Sequence, residues 1–254
     1  MSDLLWVGQG DDDKLFVQSG LLEDTIKTSV SVNSFNTNAK GVSCDGTNTP
    51  FAGQSTGDGS NTKLYLMSGI IESTIKTSLD LNAVTGTNQT MDVTWDGTNT
   101  PWVEDYNPTT PSDNFMYIQS GQFESTIKSS LSLSLGAGGL IYPRGTSCDL
   151  DGDMLQNRHA EKQFKMSGQT TNIVKTSISR TSIEASACGI SFDGEHTPFV
   201  GWTDLKAYYS SGQFTSTLKD STATVQSPHG CEVSDNNARL GIEGGVFTPT
   251  AVIF

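Results

Sequence analysis

One phrase recurs five times along this 254-residue chain, and it limits the fold more than any other feature. Aligned on a Ser-Gly pair, the copies fall at Ser19-Gly20, Ser68-Gly69, Ser120-Gly121, Ser167-Gly168 and Ser211-Gly212, with steps of 49, 52, 47 and 44 residues. An aromatic residue stands three positions before each serine (Phe16, Tyr65, Tyr117, Phe164, Tyr208), and a lysine eight positions after it (Lys27, Lys76, Lys128, Lys175, Lys219). A chain that repeats a unit of this length builds one supersecondary element several times, because a single unit cannot bury its own faces.

A second phrase alternates with the first: "GVSCDGTNTPFAG", "DVTWDGTNTPWVE" and "GISFDGEHTPFVG", with weaker copies in "GTSCDLDGDMLQN" and "GCEVSDNNARLGI". Each reads as a strand, an Asp-Gly turn and a second strand, a short-range hairpin signal. The Ser-Gly phrase reads the same way, as "KLYLMSG", a turn, and "TIKTSL" with its β-branched residues. One unit is therefore four antiparallel strands, A to D in chain order, joined to the next by polar segments such as "NSFNTNAK". Repeated four-stranded units predict an all-β fold, a β-propeller with residues 1–254 as a single domain. The repeated aromatics then pack between blades, and the lysines stand on outer D strands, where charge discourages edge pairing.

An average step of about 48 residues gives about 240 residues for five blades and about 290 for six. Five is the expected number and six the alternative. The chain starts at a B strand, "LLWVGQ", and its last repeat ends in an A–B pair, so strands from both ends are expected to close the ring. Residues 244–254, "GGVFTPTAVIF", remain as an apolar tail, an added strand or a docking element.

Charge narrows the partners. With 28 acidic and 15 basic residues the formal net charge is −13, which argues against nucleic acid and anionic membrane. "MSDLLWVGQGDDDK" has no basic region followed by an apolar run, and no window approaches the roughly 18 apolar residues of a spanning helix. Synthesis and folding in a cytoplasm, without membrane insertion, are expected. Cys44, Cys148, Cys188 and Cys231 form no CxxC pair and read as small buried thiols.

The phrase order "FDG", "W/FV", "K-L/I-Y" and "SG" resembles the β-propeller repeat families over nearly the whole chain. In layout the chain is similar to tachylectin-type lectins and to propeller modules of bacteriophage virion proteins. The resemblance implies the fold, and a virion or lectin setting; no binding residue is carried over from it.

Candidate chemistry is sparse. Asp45, Asp96, Asp151, Asp193 and Asp235 sit at equivalent A-strand ends and could form a carboxylate ring for a cation, although aspartate also suits the turn itself. Asp149, Asp151 and Asp153 are a weak candidate for Ca2+, since alternate carboxylates can converge on a hard cation. No other cofactor is indicated. His159 and Glu161 lack a third partner, and with 3 histidines in all a zinc site is not expected. Trp102, Tyr106 and Trp202 are candidate ligand-binding aromatics for stacking on sugar rings, with blade packing the simpler account of Trp202 and of Trp95.

The chain has no G-x-S-x-G, P-loop or dinucleotide fingerprint, and its sequence is spent on symmetry. The expectation is therefore a protein that is not an enzyme. It is read as a structural or adhesion module of a bacteriophage virion, on tail or capsid surface, whose partners are other virion proteins or a host-surface glycan. The alternative is a free multivalent carbohydrate-binding lectin, whose weak sites would add through avidity. Loss of "TNTP" in the third and fifth copies of the A–B phrase that follow it favours the structural reading.

Overall fold

The computed structural model describes residues 4–9, 13–20, 25–35, 38–45, 47–53, 62–70, 72, 74–85, 90–104, 115–121, 124–132, 143–148, 154–158, 162–169, 173–180, 182–183, 187–193, 195–201, 203–212, 215–224 and 226–233. Strands β1 (Leu4–Gln9), β2 (Lys14–Gln18) and β3 (Ile26–Ser31) pair antiparallel in that order. A second sheet follows as β4 (Ala39–Val42), β5 (Thr49–Gly53), β6 (Lys63–Met67) and β7 (Ile75–Asp80). After a short helix α1 (Leu81–Thr85) come β8 (Thr90–Val93), β9 (Thr100–Glu104), β10 (Phe115–Gln119) and β11 (Ile127–Ser132). The fourth sheet is β12 (Pro143–Cys148), β13 (Met154–Arg158), β14 (Lys162–Met166) and β15 (Val174–Ser179). The fifth is β16 (Ala187–Ile190), β17 (Pro198–Gly201), β18 (Lys206–Ser210) and β19 (Leu218–Ala223). Finally β20 (Ser227–Val233) pairs with β1 and completes the first sheet in the order β20-β1-β2-β3.

Five four-stranded sheets thus stand among the described residues. Their innermost strands touch in a cycle: β4 lies against β8, β8 against β12, β12 against β16, β16 against β20, and β20 against β4. This is a β-propeller ring, and the strand that closes it comes from the far end of the described chain.

The cores lie between sheets, as period-2 alternation requires. On β6, Tyr65 and Met67 face Leu5, Leu15 and Val17 of the first sheet, while Leu64 faces Val93 and Tyr117 of the third. The other repeated aromatics also sit in interfaces: Phe16 with Cys188 and Val200, and Phe164 with Met116 and Ile118. Rings also stack across strands, Phe51 on Tyr65 and Phe199 on Tyr208, each with centroids 4.9 Å apart. Burying one such ring contributes about 2 kcal/mol. All four cysteines are buried, and none is in a disulfide.

Each C–D hairpin closes with the same bond, for example from Ser68 N to Thr74 O at 2.7 Å and from Ser211 N to Thr217 O at 2.8 Å. Gly69 has φ +71°, a backbone conformation that L side chains rarely adopt, so the turn demands glycine.

Two expectations change. The A–B connections are not tight Asp-Gly hairpins: β4 stops at Val42 and β5 starts only at Thr49. The segment that follows β7 also contains helix α1, begun by Asp80, whose Oδ1 accepts the Ala83 N–H at 3.1 Å.

One buried position breaks the repeat. Five residues after the outer lysine, Val32 and Leu81 are fully buried; in the fourth sheet this place is Arg180, also 0% exposed. Its Nη2 donates to Gln163 Oε1 at 2.7 Å and its guanidinium lies 4.8 Å from the Phe199 ring centroid. Among the described residues Nε and Nη1 have no hydrogen-bond partner, and burial pulls the pKa down to about 10.

Candidate functional site at the A–B rim

The A–B and C–D turns share one end of the ring, where the side chains repeat. Asp45 Oδ1 accepts the backbone N–H of Thr47 at 2.7 Å and that of Asn48, and the Asn48 amide donates to Asp45 Oδ2 at 2.9 Å. Asp96 does the same with Thr98 N at 2.8 Å and Asn99 Nδ2 at 3.2 Å. These carboxylates serve the turn, as aspartate does when it bonds the backbone two residues on. Outer-strand lysines reach over the sheet to finish the set. Lys76 Nζ donates to Asn48 Oδ1 at 3.1 Å, and Lys128 Nζ to Asn99 Oδ1 at 3.4 Å. Neighbouring turns are tied together, with Gln169 Nε2 donating to Asp96 Oδ2 at 2.9 Å and Trp95 N to Ser43 Oγ at 3.0 Å.

The fifth sheet elaborates the same scaffold. Asp193 Oδ1 accepts Glu195 N at 2.9 Å and His196 N at 2.6 Å. Histidine replaces the asparagine, and Tyr209 stands where β6 has Leu66 and β10 has Ile118. The Tyr209 hydroxyl donates to Asp193 Oδ2, and His196 Nδ1 lies 3.2 Å from Asp193 Oδ2 and 2.8 Å from the Tyr209 oxygen. With the tyrosine O–H pointed at Asp193 Oδ2, the network closes when the imidazole proton is on Nδ1. His196 Nε2 is then 3.7 Å from Glu195 Oε1, and Lys219 Nζ lies 5.3 Å from the Tyr209 ring centroid.

Burial raises the Asp193 pKa, but the Tyr209 hydroxyl and the His196 and Glu195 amides outweigh it and hold the carboxyl below its usual range. Burial, with Asp193 beside it, pushes the Tyr209 phenol up. Tyr209→Phe should therefore cost about 1.5–3 kcal/mol at neutral pH, the value of a hydrogen bond to a charged group. A carboxyl with a lowered folded pKa stabilises above its unfolded pKa of about 4 and ceases to as pH falls through the folded value. Urea melts of the two proteins should accordingly converge in acid; a gap independent of pH would show that Asp193 is not the partner that matters.

Among the residues singled out in the sequence, Trp102 lies on β9, in register with Val93 and Tyr117. Tyr106, Trp202, Asp149, Asp151 and Asp153 lie outside the described residues, as do Asp235 and the 244–254 tail. Of the proposed carboxylate ring, Asp45, Asp96 and Asp193 are taken up by their own turns, and among the described residues no group of three or more His, Cys, Asp or Glu could hold a metal. The Asp193–His196–Tyr209 network and the Asn–lysine pairs went unpredicted. Aligning the repeats exposes the network, because His196 stands where the first two A–B copies have Asn48 and Asn99, and Tyr209 where β6 and β10 have Leu66 and Ile118.

No protein-family model matches the sequence, and no curated protein matches it. Solved structures do. A chain from the crystal structure of the nidogen/laminin complex is similar with a TM-score of 0.58 at 11% identity, over 92% of this chain and 99% of that one. The glutaminyl cyclase of Myxococcus xanthus is similar with a TM-score of 0.52 at 10% identity, over 83% of this chain and 76% of that one. At such identities the likeness is one of fold. It nevertheless corrects the expectation that the chain is not an enzyme, because a protein of this fold is one. The argument from symmetry fails physically: repetition serves blade packing, while loops from different blades remain free to differ and can hold an asymmetric site.

Proposed function

We propose that this chain is an adhesion and assembly module whose A–B rim is the contacting face, carried on a bacteriophage virion and engaging a neighbouring virion protein or a host-surface glycan. We further propose that the five sheets are its full complement of blades. The observation that carries the reading is the recurrence of one polar set at equivalent places on a rigid ring. Asp45, Asn48 and Lys76 are matched by Asp96, Asn99 and Lys128, and by Asp193, His196 and Lys219 in a modified copy. Equivalent groups presented together allow several weak contacts to act as one strong one. Lys76, Lys128 and Lys219 are exposed, and an ammonium group, with three N–H donors, can donate to glycan hydroxyls.

The test combines electron cryo-microscopy of particles with a glycan array. Density for the ring on a tail or capsid, rim toward the contact, supports the reading. A protein found only free, yet binding glycans, favours the soluble lectin. On whichever surface binds, replacing Lys76, Lys128 and Lys219 together by glutamine should lower avidity by about 100-fold, far more than any single replacement. Binding unchanged in the triple variant would remove the rim from consideration.

A further inference from the structure

In the fourth sheet two facing columns of the repeat turn polar together, at the ends of β14 and β15 that lie away from the C–D turn. The residues just before the repeated aromatics are Leu15, Leu64, Met116, Gln163 and Ala207, none more than 2% exposed. Only Gln163 is polar, and it meets Arg180, which is likewise 0% exposed. In the first two sheets Val32 and Leu81 fill the Arg180 place and pack beside Leu15 and Leu64. Exchanging such an apolar pair for a buried polar one costs stability unless its donors are met.

Here they are not met. Nη2 donates to Gln163 Oε1 at 2.7 Å, and the guanidinium carbon lies over the Phe199 ring, 4.8 Å from its centroid. Arg180 Nε, Arg180 Nη1 and Gln163 Nε2 are buried without partners among the described residues. Burial alone shifts the Arg180 pKa, with no carboxylate pulling the other way, and at about 10 the group stays charged at neutral pH. Three unmet donors and one unanswered charge define the guest. A water molecule would bring two O–H groups that need acceptors, while the pair's own acceptor, Gln163 Oε1, is already engaged. An anion only accepts, and it cancels the charge. With both residues 0% exposed the guest is enclosed, which favours a single atom over an oxyanion.

We propose that the Arg180–Gln163 pair binds a halide ion, chloride in ordinary solutions, enclosed between the fourth and fifth sheets. The ion accepts from in-plane guanidinium N–H groups, which the Phe199 ring leaves open, and from the Gln163 amide. Its attraction to the arginine is strong because water is excluded there. The closed interface exists only in the folded ring, so the ion stabilises folding by mass action.

The experiment is urea denaturation of the whole chain in sodium chloride against sodium gluconate at equal ionic strength, gluconate being too large to be enclosed. Chloride at about 100 mM should raise the folded-to-unfolded ratio about tenfold, and saturably, as a Kd of about 10 mM requires. Gln163→Glu supplies the arginine with a carboxylate from within and should erase this dependence. Gln163→Leu combined with Arg180→Leu should erase it too, and carries the test if the glutamate variant does not fold. Lys76→Gln, on the rim, should keep it. Crystals grown in bromide should show an anomalous peak in contact with Arg180 and Gln163. No chloride dependence in the wild type, an equal dependence in the variants of this pair, or bromide at other places only would overturn the assignment.

Discussion

Gln163→Leu alone should destabilise the protein by about 3–5 kcal/mol, whereas Gln163→Leu combined with Arg180→Leu should match or exceed wild-type stability by up to about 4 kcal/mol. The single change removes the Gln163 oxygen that accepts from a guanidinium that is 0% exposed. A buried charge stripped of its partner bears its desolvation cost with no compensation. The double change restores what the other blades already use. Gln163 occupies the column of Leu15 and Leu64, and Arg180 that of Val32 and Leu81; those residues pack together in the first two interfaces. The native pair is poorly satisfied as it stands, since Gln163 Nε2 and two guanidinium nitrogens lack partners among the described residues. Urea denaturation of the four proteins of this cycle gives the coupling directly. A double variant no more stable than Gln163→Leu would mean that the pair's charge is not what limits the site.

The same columns explain how much of the fold could be read beforehand. The Ser-Gly turns, the aromatics at Phe16, Tyr65, Tyr117, Phe164 and Tyr208, and the outer lysines are set by packing and turn geometry that every blade must satisfy. Repetition therefore exposed them, and with them the four-stranded unit and the closing strand. Turn chemistry was only half legible. Asp45, Asp96 and Asp193 announced turns, but Asp-Gly suggested two-residue hairpins, where the carboxylate instead organises a longer loop through its bonds to the second and third following amides. The sites were least legible because they reside in departures from the repeat. His196 and Tyr209 are each ordinary residues in isolation. Only the pairing of β17 with β18 within one sheet brings Tyr209 to Asp193.

Ring closure should also make one methyl group intolerable. Gly145→Ala is expected to cost about 3 kcal/mol or more, at the severe end for overpacking. A Cβ at 145 would lie 2.2 Å from the Cys188 carbonyl oxygen, where the neighbour is backbone of the adjacent inner strand. Gly41 stands in the same relation to β8, with a Cβ 2.5 Å from Asp92 Cα. In an open sheet a strand could shift aside; here β12 is held by β8 on one side and β16 on the other, so relief at one contact compresses the next. Gly168→Ala supplies the comparison. Nothing lies within 4 Å of a Cβ there, and only its φ of +75° opposes the change, a penalty of about 1–2 kcal/mol. Urea midpoints of the two variants separate the causes. If Gly145→Ala is no worse than Gly168→Ala, the inner strands can move apart, and the closed ring is not the constraint that fixes glycine at its centre.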